Sequence, residues 1–438
     1  MAGESEYRMQ IAVIEKQSGR TNVAKLNEVF VPGGMPSYTY QGRKGVDLEG
    51  SLRNALQRVR KFVAVAGPTK SGKTVLTRKV VPPAESIWIE GAHIPTIDDF
   101  WIAILASLGV VSPSSHSSGS TSDRATEGEF VAGFKPAGVG AETKVKEIQK
   151  TTNAVTTTGA MQTSKAQSAV AALLKARKVV VIDDFHYISP EIQTALIRGL
   201  KQAVFDGLSV VLILIPHRMH QAATAEMDVD GRTQTILIPD WQPQELFAIA
   251  ETGARELAVR IHATTIEKMV SESFQSPHLM QDFCSQICAD CDVWVTNTGL
   301  LKTVVFKAGD ADFFSRFATT ISPETFRALQ RGPERTNRLE RKLRAGGTCD
   351  TYEAIFLAIN KLEVMSPVRW VELRQSLQEI LVDDLQQHEV TRALEKMDEI
   401  AKSRNGEPVL DYVKEQRELH LVDPFFRFYV RWGALAGE

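Results

Sequence analysis

Gly67-Pro68-Thr69-Lys70-Ser71-Gly72-Lys73-Thr74 sets a glycine, four free positions and then Gly-Lys-Thr in one run. This spacing suits a polyphosphate, which needs donors on several sides. The backbone N–H groups can turn inward around the β- and γ-phosphates because glycine permits the turn. Lys73 is expected to reach the β/γ oxygens and the Thr74 hydroxyl to ligate Mg²⁺, while Val75 opens a helix whose N-terminus favours negative charge. A second chemical group follows at Val179-Val180-Val181-Ile182-Asp183-Asp184, an aliphatic strand ending in two carboxylates. At the C-terminal end of a buried parallel strand, Asp183 is placed to hold Mg²⁺ through water, and Asp184 to orient or deprotonate the attacking water.

The elements that must position these groups can be read from the flanks. Phe62 to Ala66 reads as a buried strand before the loop, and Asp47 to Lys61, with Leu48, Leu52, Leu56 and Val59 recurring, as an amphipathic helix. Ser86 to Ile89 reads as a second strand and Asp98 to Leu108 as a helix with an acidic cap. Helices are expected from Ser164 to Lys175 and from Ser189 to Phe205, with strands from Ser209 to Ile215 and from Thr235 to Pro239. Arg218, with His217 second, follows the Ser209–Ile215 strand, where a cation lies beside the γ-phosphate. Arg232 precedes the last core strand and faces a neighbour's nucleotide if subunits assemble head to tail. Phe30 to Tyr40 has turn formers and aromatics without periodicity. Val31, Pro32 or Tyr38 can pack on a base there, or the segment simply wraps the core.

Composition bounds the rest. At 438 residues, two or three domains are expected. With 43% apolar and 24% charged residues and a formal net charge of -2, no global field draws the chain to nucleic acid or an anionic membrane. Apolar runs such as Val210 to Ile215 are strand-length, and the acidic, polar N-terminus lacks a secretory apolar region, so a cytoplasmic setting is expected. Ser, Thr, Gly and Ala dominate 112–163, which reads as a flexible insertion with room for a hairpin at 129–139. Cys284, Cys288 and Cys291 fall on a helical pattern and read as packing groups rather than metal ligands.

The ordered set resembles the AAA+ and STAND branches of P-loop ATPases over about residues 45–290. The archaeal-type STAND ATPases and the origin-recognition initiators are the look-alikes. The resemblance implies ATP and Mg²⁺ as cofactors, a helical lid after the core and a winged helix after the lid. It implies Arg232 as an arginine finger, and Pro277 and His278 of Ser276-Pro277-His278-Leu279-Met280 as a lid segment over the adenine. Asp183-Asp184 stands where many AAA+ enzymes have Asp-Glu, and His278 or nothing stands for the lid arginine, so slow turnover is implied.

The fold class expected is therefore α/β: a P-loop NTPase parallel sheet with a helical lid, followed by an α+β winged-helix domain. The divisions are 1–45 as N-terminal extension, 46–240 as core, 241–300 as lid, 301–350 as basic helical linker and 351–438 as winged helix. Helices are expected at Pro243 to Val259, Thr264 to Phe274 and Pro277 to Ala289, with Asp292 to Gly309 unclassified. The linker carries Arg327, Arg331, Arg335, Arg338, Arg341, Lys342 and Arg344, either a solvated face or a phosphate-backbone contact. Three helices and a hairpin (408–413 and 418–421) make the winged helix, whose third helix, Val390 to Lys402, is near neutral. Function is read as an ATP-dependent oligomerising switch, of the kind that STAND relatives use in antiphage defence. The alternatives are an ATPase loaded on duplex DNA, or a nucleotide-gated scaffold without turnover. A homo-oligomer and a protein partner or effector are implied, and no membrane.

Overall fold

A computed structural model of the protein describes residues 23–43, 45–58, 60–110, 164–215, 233–321, 324–333, 339–362, 366–403 and 408–433. The insertion, with its candidate hairpin, and the segment carrying His217, Arg218 and Arg232 lie outside the described residues.

Five parallel strands form the central sheet in the order β2-β3-β4-β1-β5. They are β1 (Phe62–Ala66), β2 (Ser86–Glu90), β3 (Val179–Asp183), β4 (Val210–Leu214) and β5 (Thr233–Leu237). In register, Phe62 stands between Val210 and Thr233, and Ala66 between Leu214 and Leu237. Alternate residues of each strand point to opposite faces. Ala64, Ile182 and Leu212 therefore enter one core and Val65, Val181 and Ile213 the other. Burial on both faces explains why β1, β3 and β4 read as unbroken aliphatic runs.

Helices cover both faces. Besides α1 (Leu26–Val29), a single turn near the N-terminus, the core has α2 (Leu48–Gln57), α3 (Lys73–Val80), α4 (Ile97–Ser107), α5 (Lys165–Ala176) and α6 (Pro190–Phe205). Leu52 of α2 and Leu76 of α3 pack on one face, and Phe100 and Ile104 of α4, Leu173 of α5 and Leu200 of α6 on the other. The cap of α4 is Thr96, whose hydroxyl accepts from Asp99 N–H, so the acids expected to begin this helix sit inside its first turn. Ser164 caps α5 with a reciprocal bond from Gln167.

A second body gathers α7 (Pro243–Glu256), β6 (Val259–Ile261), α8 (Ala263–Glu272), α9 (Pro277–Asp290), β7 (Lys302–Val304) and α10 (Asp310–Thr320). The expected helix to Val259 ends early, because the chain turns into β6, which pairs parallel with β7. Phe283 centres an aromatic cluster with Phe313, Phe314 and Phe317, its ring 5.1 to 6.2 Å from theirs. The three cysteines of this region are buried, and burial pushes Cys288 up to about 12, the range of inert packing thiols. Among the described residues no group of three or more metal-ligating side chains occurs.

The N-terminal segment belongs to this body too. Ala24 N–H donates to the Thr296 hydroxyl at 3.0 Å, and Leu26 N–H to Trp294 O at 2.8 Å. Phe30 fills the space above Gly253, where an added Cβ would stand 2.1 Å from its ring. A glycine in mid-helix is thus explained by the aromatic ring it admits.

The third body holds α11 (Glu324–Arg331), a small hairpin of β8 (Arg341–Lys342) and β9 (Thr348–Cys349), α12 (Thr351–Leu362), β10 (Val368–Arg369), α13 (Trp370–Ile380), α14 (Gln387–Ser403), β11 (Leu410–Val413), β12 (Glu418–Leu421) and α15 (Pro424–Trp432). The expected hairpin is present and gains β10 as a third strand, giving the antiparallel order β10-β12-β11. Helix α15 spans two cores, with Phe426 and Val430 in this body and Phe428 and Trp432 in the second. Trp432 donates to Glu272 at 2.8 Å, and the fully buried Glu272 also meets Arg431 at 3.1 Å. No described helix is long and apolar enough to cross a membrane.

Candidate nucleotide site

The loop after β1 is built for a tight turn. Lys70 and Gly72 both have positive φ, 57° and 93°, and Gly72 hands the chain to α3. At Gly67 an added Cβ would stand 2.9 Å from Ile238 and 3.1 Å from the Ser71 hydroxyl, so the first glycine is required by close approach. The buried Lys73 folds back and donates to Gly67 O at 3.0 Å and Pro68 O at 2.7 Å. From the far side Trp241 Nε1 donates to Ser71 O at 2.9 Å. The Ser71 hydroxyl is buried and finds no hydrogen-bond partner among the described residues, a donor left over inside an anion-shaped turn.

The two carboxylates come to the same place. Thr74 Oγ1 donates to Asp183 Oδ2 at 3.0 Å. Burial pushes Asp183 up, opposed by the bonds from Thr74 and the Asp184 N–H and by the charges of Lys73 and Arg78. A hydroxyl and a buried carboxylate side by side are hard oxygen donors and fit Mg²⁺. Asp184 takes the left-handed conformation, φ 51°, which Asp tolerates, and reaches the cavity wall. Gly91, just past β2, makes room for that turn: an added Cβ would meet Asp184 O at 2.4 Å.

The loop and Asp184 line a cavity of about 410 Å³, within the range of small-ligand sites, while Asp183 does not line it and meets it through Thr74. Thr69 to Leu76, Arg78 and Asp184 form its floor, and Pro277, His278 and Gln281 of α9 its roof. Its third wall is the N-terminal segment, through Val31, Pro36 and Tyr40. Of the expected base-wall residues, Val31 is there, whereas Pro32 does not line the cavity and Tyr38 packs against the second body. Gln281 fastens roof to wall, accepting from Val31 N–H at 3.1 Å and donating to the Thr39 hydroxyl at 2.7 Å. Gly67 and Pro68 contribute through the carbonyls that hold Lys73 rather than by facing this cavity. Arg43 pins the hinge between core and roof: it donates to Pro239 O and Asp240 O at 2.7 and 2.8 Å, pairs with Glu245, and lies 4.8 Å from the Trp241 ring centre.

Sequence reasoning did not find Arg78, Trp241, Gln281 or Gly91. Only Gln281 carried a usable signal, since it lies one helical turn beyond Pro277 and shares its face.

At the roof, His278 Nε2 lies 3.5 Å from Asp282 Oδ2. Burial and then the charge of Lys70 push His278 down to about 4, while burial pushes Asp282 up to about 7 against the pull of Lys70. As pH rises from about 6 to 8, Asp282 therefore gains a negative charge while His278 stays neutral. An anionic ligand should be bound more weakly by about threefold over that interval, beyond whatever change the Asp282→Asn variant shows. Fluorescent-nucleotide titration at several pH values checks this, and superimposable profiles for the two proteins would refute it.

Comparison with known protein families finds no matching family, and comparison with curated protein sequences finds no match. Solved structures do match. The Walker-type ATPase of Pyrococcus abyssi is similar over 90% of this chain and 96% of its own, at 14% identity and a TM-score of 0.51. The Orc1 protein of Aeropyrum pernix in complex with DNA covers 94% of this chain and 98% of its own, at 13% identity and TM-score 0.46. Cdc6p of Pyrobaculum aerophilum covers the same shares at 12% identity and TM-score 0.43. With its parallel sheet, phosphate loop and roof helices, the chain shares the fold of the Walker-type ATPase of Pyrococcus abyssi.

Proposed function

We propose that the protein binds Mg²⁺-ATP in the cavity between phosphate loop and roof, hydrolyses it slowly, and uses the nucleotide state as an oligomerising switch. The observation that carries this reading is the meeting of Thr74, Asp183 and Asp184 beside the loop, under a roof supplied by another body. Lys73 exchanges the Gly67 and Pro68 carbonyls for phosphate oxygens. Thr74 and Asp183 hold Mg²⁺, which when bound neutralises phosphate charge. Asp184 orients a water and takes its proton. The shorter second carboxylate supports slow turnover. Arg218, with His217, as γ-phosphate sensor and Arg232 as finger for a neighbour are part of the same proposal.

The C-terminal body we read as a winged helix. The duplex-DNA alternative finds little support in α14, where two of the three Lys and Arg side chains are already engaged: Lys396 pairs with Glu399, and Lys402 with Asp398 and Asp411. In the linker, Arg341 pairs with Glu389 at 2.6 Å. Mass photometry tests the reading. A slowly hydrolysed ATP analogue with Mg²⁺ is expected to shift the protein to a discrete assembly, ADP to leave smaller species, and duplex DNA to change neither. An unchanged mass distribution would sink the switch. Single-turnover hydrolysis separates it from a scaffold without turnover.

A further inference from the structure

We propose that Asp423, from the C-terminal body, is a working part of the nucleotide site: it competes with phosphate for Lys70 of the loop, so that nucleotide binding and docking of α15 oppose each other. This rests on the reading of the cavity as a nucleotide site. Lys70 Nζ donates to both carboxylate oxygens of Asp423 at 2.8 Å, across 353 positions of sequence. The same ammonium lies 4.1 Å from the centre of the Phe425 ring, whose neighbour at 5.0 Å is the roof residue His278. Lys70 and Asp423 are 27% and 12% exposed, sheltered enough for their charges to count.

Lys70 shares its hold on the carboxylate with the α15 backbone. Asp423 caps α15, its Oδ1 accepting from Phe425 N–H at 2.8 Å, and α15 is anchored by Phe428 and Trp432 in the second body. An arriving polyphosphate brings several negative charges to a loop whose half-buried cation Lys70 is committed to another anion. Lys70 serves one partner at full strength, not both. A triphosphate draws it harder than a diphosphate because it carries more charge. Coupling of this kind is reciprocal: what weakens docking tightens nucleotide binding, and the converse.

The test uses Asp423→Asn, since Asn still caps a helix and lacks the charge. Its Kd for ATP is expected to fall about tenfold and that for ADP about threefold, as loss of a charge-assisted pair implies. In a Lys70→Met background the same substitution should change neither constant, because the competition needs both groups. Without nucleotide, amide hydrogen exchange over 424–432 should be faster in Asp423→Asn than in the native chain, and ATP should speed it in the native chain. Unaltered affinities, an effect that survives Lys70→Met, or unaltered exchange would each overturn the proposal. Failure of the native chain to bind ATP at all, seen in the same titration, would instead overturn the nucleotide reading on which it stands.

Discussion

Lys73→Ala is expected to weaken ATP binding by about 100- to 1,000-fold, on the order of 3–4 kcal/mol. Lys73 is a cation at the floor of the cavity, 7% exposed, and its ammonium donates to the Gly67 and Pro68 carbonyls, which a phosphate would replace. An alanine leaves two inward-facing carbonyl oxygens and no compensating charge where an anion must sit. Isothermal titration with Mg²⁺-ATP measures the change. Affinity within threefold of the native value, in a variant with an unaltered melting temperature, would remove the phosphate loop from its role.

Asp184→Asn should separate binding from chemistry. Asn tolerates the left-handed backbone that Asp184 adopts at φ 51°, so the turn against Gly91 is kept, and the Thr74–Asp183 pair beside it is untouched. ATP affinity should stay within about threefold, while single-turnover hydrolysis falls by about 100-fold or more, the usual scale for loss of a positioned general base. Retained hydrolysis with full binding would move the base elsewhere. Loss of binding equal to that of Lys73→Ala would mean that the two acids do not divide their work as assigned.

The phosphate loop and the twin acids were legible because their chemistry is local: the spacing of Gly67, Lys73 and Thr74 and the aliphatic run into Asp183 carry their own context. The cores were legible for the same reason, since burial on both faces writes β1, β3 and β4 as unbroken apolar runs of consecutive residues. What stayed hidden depends on contacts between distant segments. Trp241 under Ser71 and Arg43 across Pro239 and Asp240 have no sequence signature, because a lone tryptophan or arginine says nothing about which backbone oxygen it will find. Phe30 in the second body was unreadable until Gly253 was seen to admit it. Tyr40 rather than Tyr38 lines the cavity, because Tyr38 packs against the second body, while Val31 lines it as expected. Helix α15 lay in a stretch whose aromatics serve two cores, so no single stripe marked it. The positions assigned to Arg218 and Arg232 fall outside the described residues.

Arg43 has a mechanical corollary. The polypeptide passes between core and roof once near residues 41–47 and again near 238–243, and this guanidinium rivets the two crossings together. Two tethers fastened at a single point would make a door with one axis, free to swing rather than to slide or lift. Because the N-terminal strap packs with the door and not with the frame, one swing would open the cavity on two sides at once.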